Sequence, residues 1–179
     1  VLTVNSGATA GEWADAGGGS PDLFAENYDG TSPLPSATGN NTVALGTQST
    51  SSGSGSFSFG ISAVASGSLS VALGRNAKAT NSYSFASGNS YSSGTNSIAM
   101  GITNSSASYG ASGANSVAIG QLSKATQANS IAIGDTAIST TANQIALGGA
   151  TDTVKISNTY TLPTSDGTNG QVMTTDGSG

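Results

Sequence analysis

The side chains with the most obvious chemical potential in this chain are serine hydroxyls, and the sequence offers almost nothing to activate them. The 179 residues contain no His and no Cys, and no Asp or Glu lies between Gly30 and Gly134. A serine nucleophile needs a neighbouring base to take its proton, and Asp135 is the only acidic residue of the central segment. The sequence therefore predicts a protein that is not an enzyme and has no catalytic residues.

Two further patterns resemble ligand sites but are better explained as turns. The segment Gly53-Ser54-Gly55-Ser56 resembles a phosphate-binding loop, yet it lacks the lysine and the following helix that such a loop requires. Asp166 and Asp176 each precede a glycine, as turn residues commonly do, and they are not clustered with other carboxylates as calcium ligands are. We therefore predict no metal site and no cofactor.

Three tyrosines are the candidate receptor-binding residues. Tyr83 occupies a repeat position that elsewhere holds Asn, while Tyr109 lies in an irregular stretch, Ile102–Ser112, and Tyr91 lies between them. Tyrosine is common in recognition surfaces, and loops on rigid scaffolds often carry binding. Our hypothesis is that these residues contact a host-surface glycan or protein. The alternative is that they are aromatic plugs over an irregular coil. We interpret the row of Asn residues as a ladder that stabilises turns; it comprises Asn41, Asn96, Asn115, Asn129 and Asn143.

Charge and hydropathy exclude two classes of partner. The net charge is −5, and the only cations are Arg75, Lys78, Lys124 and Lys155, which are too few and too scattered in sequence to predict a basic patch. Binding to nucleic acid depends on neutralising many phosphates, so we expect none. No apolar run approaches the roughly 20 residues that a membrane helix needs, so we expect no membrane insertion.

The element that positions all of these residues is a repeat of 14 residues. Five similar pentapeptides define it, each ending in glycine: TVALG at 42–46, SVALG at 70–74, SIAMG at 97–101, SVAIG at 116–120 and SIAIG at 130–134. The period slips by one residue before Gly101, takes an insertion after it, and resumes at Gly120. A short fixed period is typical of a solenoid in which each repeat is one coil.

Each coil reads as two short alternating segments separated by glycine corners. We predict that the mid-repeat glycines, Gly53, Gly67, Gly94 and Gly113, adopt positive φ, with Asn81 replacing glycine in one coil. In the second segment large apolar residues alternate with Ser and Ala. Because packed sheets lie about 10 Å apart, we expect the large row inside each coil and the Ser/Ala row outside. The uncharged Ser/Ala face would then be buried between chains, which predicts three chains around an axis.

Two resemblances extend this interpretation. Residues 42–148 resemble the head domain of trimeric autotransporter adhesins, which implies a left-handed parallel β-roll that associates as a trimer. Residues 153–157 and 161–179 are similar to the junction segment of phage tail-fibre proteins. Residues 1–7 line up with 172–177, so we expect the same junction module at both ends of the array and a polypeptide that continues beyond them.

The sequence thus predicts an all-β protein: a left-handed parallel β-roll solenoid of 14-residue repeats, trimeric, flanked by small irregular β junction modules. The expected domains are an N-terminal junction strand and turn (1–15), a Gly/Pro connector (16–41), the repeat array (42–148) and a C-terminal β junction module (149–179). We interpret the chain as a structural segment of a trimeric tail fibre in a virion, bound to other tail proteins and mediating host attachment. The alternative is the head of a bacterial trimeric autotransporter adhesin on the cell surface, which binds host or matrix surfaces.

Overall fold

Two parallel β-sheets of eight strands each form the solenoid in the computed structural model, which describes residues 33–101, 108–156 and 160–161. The chain alternates between the sheets, so two strands and two corners make one coil. The short-strand sheet contains β1 (Ser36–Ala37), β3 (Thr50–Ser51), β5 (Val64–Ala65), β7 (Lys78–Ala79), β9 (Tyr91–Ser92), β11 (Gly110–Ala111), β13 (Lys124–Ala125) and β15 (Ile138–Ser139). The long-strand sheet contains β2 (Val43–Leu45), β4 (Phe57–Phe59), β6 (Val71–Leu73), β8 (Phe85–Gly88), β10 (Ile98–Gly101), β12 (Val117–Ile119), β14 (Ile131–Ile133) and β16 (Ile145–Leu147). The all-β solenoid that the repeat predicts is confirmed.

The strand register follows the sequence period. Val43 pairs with Phe57 and Phe57 pairs with Val71, each 14 positions later. Phe85 pairs with Ile98 after 13 positions, and Ile98 pairs with Val117 after 19. The slip and the insertion therefore leave the ladder of the long-strand sheet continuous. The slip lies at the corner after β8 and the insertion at the corner after β10. Both corners follow a long strand, and they belong to consecutive coils.

The interior of the coil is lined by small residues, so the predicted placement of the two rows is wrong. Ala72 and Ala86 of the long-strand sheet and Ala65 and Ala79 of the short-strand sheet are completely buried. The large residues point outwards, and Phe59 is 53% exposed. The prediction assumed the usual separation of packed sheets. Here β-turns join the two sheets, and a β-turn brings its end Cα atoms within about 7 Å, so only Ser and Ala fit between them.

The mid-repeat glycines do not have the positive φ that the sequence predicts, and Gly53 shows why glycine is needed there. Gly53 opens a turn in which the Ser56 N–H donates to the Gly53 carbonyl at 3.1 Å, and the positive φ belongs to Gly55 at 66°. This is the pattern of a type II turn. A Cβ on Gly53 would lie 1.9 Å from the carbonyl oxygen of Gly67 in the next coil. Close approach between coils, and not a left-handed backbone, selects this glycine.

The buried serines form hydrogen bonds, with the exception of Ser70, whose buried Oγ has no partner within the described residues. The hydroxyls of Ser97 and Ser116 donate to the carbonyls of Gly94 and Gly113, at 2.6 and 2.7 Å, and so complete the preceding turn. Across the narrow interior, the Ser51 and Ser56 hydroxyls lie 2.6 Å apart. A buried hydroxyl without a partner costs free energy, so these bonds offset most of the cost of burying the serine row.

Beyond the solenoid, β17 (Lys155–Ile156) and β18 (Tyr160–Thr161) pair antiparallel as a separate two-stranded sheet. They lie in the predicted C-terminal junction module. The predicted N-terminal junction at 1–15, residues 16–32 of the predicted connector, and residues 157–159 and 162–179 of the C-terminal module lie outside the described residues. At the other end, β1 lies in the segment that the sequence predicts to be a connector, and it pairs with β3 as part of the short-strand sheet.

Candidate functional site

The outer surface of the long-strand sheet is a row of large apolar side chains, interrupted at Ser87 of β8, which we call the apolar face. All of them are half-buried or exposed in the single chain, with Ile133 41% and Ile145 64% exposed. The face comprises Val43, Leu45, Phe57, Phe59, Val71, Leu73, Phe85, Ile98, Met100, Val117, Ile119, Ile131, Ile133, Ile145 and Leu147. No described charged residue lies on it. Eight strands of three residues span roughly 38 Å by 10 Å.

An apolar surface of this size requires a cover. Soluble single-chain proteins rarely expose a contiguous apolar patch of more than a few hundred Å². The buried side chains of the described coils are those of Ser and Ala, so the large side chains contribute hydrophobic burial only if another surface packs against them. The apolar face therefore has the chemistry of a surface that packs against another surface. The prediction that the Ser/Ala row is the outward-facing contact surface is wrong, because that row lies inside the coil.

The outer surface of the short-strand sheet has a different character. Its outward positions, one per coil, are Ser36, Thr50, Val64, Lys78, Tyr91, Gly110, Lys124 and Ile138. Lys78 and Lys124 are half-buried, and Arg75 is exposed at the corner that precedes Lys78. The fold thus brings three of the four cations to one side of the solenoid, although their sequence positions predict no basic patch. This outer surface is mixed and polar, as expected of one that remains in water.

Four of the five residues of the Asn row form the predicted ladder along a third surface, the corner that precedes the long strands; Asn41 shares their positive φ but not their hydrogen bonds. Asn96 donates its amide to Asn115 Oδ1 at 3.1 Å, Asn115 to Asn129 at 3.0 Å, and Asn129 to Asn143 at 3.1 Å. All four have positive φ between 54° and 61°. Asparagine is the non-glycine residue that tolerates this conformation best. The ladder therefore stabilises turns, and its amides are used within the protein.

Tyr83 interrupts this ladder, and its replacement is expected to stabilise the protein. Tyr83 has φ of 58° and is 60% exposed. Tyr83→Asn would remove a bulky residue from the left-handed region and add a rung next to Asn96, a gain of about 1 kcal/mol in the free energy of unfolding. Thermal unfolding would measure it. Tyr91→Asn, at a position without positive φ, is the control and should bring no gain. An unchanged or lower stability of Tyr83→Asn would contradict the assignment.

The structure brings two of the three candidate tyrosines together. Tyr91 lies on the outer surface of the short-strand sheet, and Tyr109 precedes Gly110 on the neighbouring strand of that sheet. Tyr83 lies at the opposite corner of the coil, between β7 and β8. The binding role of all three tyrosines remains a prediction. The inserted residues 102–107 lie outside the described part of the chain.

A small cavity of about 20 Å³ lies beneath the irregular corner. Asn89, Tyr109 and Leu122 are among the residues that line it, and the buried Asn89 Oδ1 has no hydrogen-bond partner within the described residues. This volume is about that of one water molecule. It is too small for an organic substrate, whose pockets measure several hundred Å³.

The described residues provide no catalytic arrangement. They contain no group of three or more His, Cys, Asp or Glu that could hold a metal ion. Ser97 and Ser116, which typify the buried serines, donate to backbone carbonyls and have no basic side chain beside them. Within the described ranges no helix is long and apolar enough to cross a membrane.

Comparison with known families identifies the repeat. The family model described as the YadA head domain repeat matches in two copies, over residues 37–63, 65–90, 88–102 and 111–137, which together are more than half of the chain. This repeat is a structural, non-enzymatic domain of adhesins, and heads built from it typically trimerise. No curated protein matches the chain. The match favours the adhesin alternative over the tail-fibre interpretation, for which nothing in the described residues provides support.

Proposed function

The chain belongs to the family of the YadA head domain repeat, and from this membership we propose that it is the head of a trimeric adhesin on a bacterial cell surface. The observation that carries the proposal is the apolar face, since it gives the solenoid a surface that requires partners of the same kind. Three copies that pack these faces around one axis would bury the large residues of every coil. The short-strand sheets would then form the outside of the head.

The proposed mechanism is display with trivalency. Eight coils make a rod roughly 38 Å long, and the rod carries the same outward side chains in three copies. Weak contacts of one chain with a host or matrix surface would act together, because the second and third contacts become intramolecular once the first has formed. The head therefore needs no deep pocket in any one chain, in agreement with the small cavity found.

Adhesion by the assembled chain tests this function. Beads coated with the wild-type chain should adhere to host-cell or matrix layers more strongly than beads that carry a single-chain variant at equal density. Antibodies against the chain should label the surface of the bacterium that encodes it. Labelling of virion tails instead, together with beads that adhere no better than uncoated ones, would contradict the proposal and support the tail-fibre interpretation.

A further inference from the structure

The short-strand sheet carries a line of residues that are far apart in sequence, which we call the basic column: Lys78, Tyr91, Gly110 and Lys124. Lys78 pairs in register with Tyr91, and Gly110 pairs with Lys124. Gly110 faces Tyr91, because a Cβ on Gly110 would lie 2.1 Å from the Tyr91 carbonyl oxygen. At about 4.8 Å per strand, the two lysines lie roughly 14 Å apart along the solenoid.

No acidic side chain of the described residues pairs with the positive charge of this surface. Between residues 33 and 134 there are three cations and no Asp or Glu. Asp135 is the acid nearest to Lys124 along the chain, at the corner one coil beyond it. Within the described residues neither lysine nor Arg75 forms an ion pair. Although the whole chain has a net charge of −5, this face of it presents a positive potential that attracts anions.

The column also has side chains that suit a sugar polymer. Gly110 has no side chain, so Tyr91 and Lys124 are separated by a strand position without one. Tyr91 is half-buried and offers an aromatic side chain, and Tyr109 immediately precedes Gly110 in the chain. Sugar rings present apolar C–H faces that pack against aromatic rings. A linear polymer running along the solenoid would meet a cation, an aromatic ring and a second cation in order.

We propose that the basic column binds an anionic polysaccharide whose charges are sulfate or carboxylate groups. The inference rests on the proposed function in one respect, because the short-strand sheet must remain on the outside of the trimer. Nucleic acid is a poorer fit, since strong phosphate binding usually involves six to ten contacts. An anionic membrane is also a poorer fit, since it attracts clusters of four to eight cations.

Binding of defined polymers to the wild-type chain tests the proposal. The probes are dextran sulfate, polygalacturonate and neutral dextran, measured by interferometry at two salt concentrations. We expect the two anionic polymers to bind, with affinity that falls as salt rises, and neutral dextran not to bind. The preferred anionic polymer distinguishes sulfate from carboxylate as the recognised group. If neither anionic polymer binds, or if neutral dextran binds equally, the proposal is overturned.

Three substitutions that each remove one positive charge locate the site. Lys78→Gln and Lys124→Gln should each weaken binding on the order of tenfold, because a trimer loses three charges at once. Lys155→Gln, on β17 outside the two large sheets, is the matched control and should have little effect. Tyr91→Ser should weaken binding without changing its salt dependence. If all three lysine variants lose affinity for the anionic polymer equally, the polymer is attracted by the total charge of the chain, and the assignment of the site to the basic column is overturned.

Two further outcomes separate this proposal from the function on which it rests. If the beads adhere and the chain is trimeric, but no anionic polymer binds, then the basic column is not the binding surface while the adhesin proposal stands. Vesicles containing phosphatidylserine provide the second outcome. If they bind as strongly per charge as dextran sulfate, and if Tyr91→Ser changes neither the binding of the vesicles nor that of dextran sulfate, the column recognises charge alone and the polysaccharide proposal fails.

Discussion

Ile133→Asp is expected to convert the assembled protein into single chains, while Ile138→Asp leaves the assembly intact. The two isoleucines belong to one coil and have similar exposure in the single chain, 41% and 48%. Ile133 lies on the apolar face and Ile138 on the outer surface of the short-strand sheet. They form a matched pair, because the same change of side chain is made on opposite sides of the solenoid.

The expected size of this effect follows from symmetry. Complete burial of an isoleucine contributes about 1.5–3 kcal/mol, and each substitution occurs three times in a trimer. The introduced carboxylates would also lose hydration and lie near one another, and both effects destabilise the charged form. The combined loss is on the order of 10 kcal/mol per trimer, enough to dissociate chains at micromolar concentration.

Sedimentation of the two variants at equal concentration measures the effect, and pH provides an internal check. Burial and like charges raise the pKa of the introduced carboxyls above the usual value of about 3.9 for Asp. Protonation therefore restores a neutral side chain as the pH falls through that raised pKa. The chains of the Ile133→Asp variant should then reassociate, which raises the sedimenting mass. If both variants remain trimeric, or both dissociate, the apolar face is not the interface.

Ala72→Leu is expected to prevent cooperative folding. Ala72 lies in the middle of β6, is completely buried, and pairs with Ser58 and Ala86 in the adjacent coils. Extra methylene groups in a packed interior usually cost about 1–3 kcal/mol. Here the loss should exceed about 3 kcal/mol per chain, since the β-turns at the corners prevent the sheets from separating.

Ala128→Leu makes the same change at an exposed corner residue and should leave stability within about 0.5 kcal/mol of wild type. Circular dichroism on heating compares the two variants with the wild-type protein. A variant with Leu at position 72 that folds and melts like the wild type would show that the small row is not in the interior. That result would restore the arrangement expected from the sequence, with the large row inside.

The period of the sequence predicted most of the fold. Because the pentapeptides at 70–74, 116–120 and 130–134 recur with glycine at a constant place, they specify parallel strands in register. The slip before Gly101 and the insertion after it were also located from the sequence. These features depend on spacing alone, and spacing is what a sequence displays directly.

The inside and outside of the coil could not be assigned in this way. Alternation shows that Val71 and Leu73 share one face and that Ala72 lies on the other, but it does not say which face is interior. That choice depends on the distance between the sheets, which the corners determine. The corner from Gly53 to Ser56 is a β-turn, so the sheets lie closer together than the usual 10 Å of packed sheets.

The candidate site was predictable only in part. Tyr91 and Tyr109 are 18 positions apart, and the insertion hides the fact that Tyr109 immediately precedes the strand that neighbours the strand of Tyr91. Lys78 and Lys124 are 46 positions apart, yet three strand pairings connect them. Their alignment required the register on both sides of the slip and the insertion. Tyr83 looked equivalent by residue type, but its corner is on the other side of the coil.

The most direct test of the central claim, that the apolar face joins three copies of the chain, is the solution mass of the wild-type protein by light scattering. The account predicts three times the chain mass of 17.2 kDa, with no single chains at micromolar concentration. A folded protein of one chain mass would contradict it, since the apolar face would then remain uncovered in water.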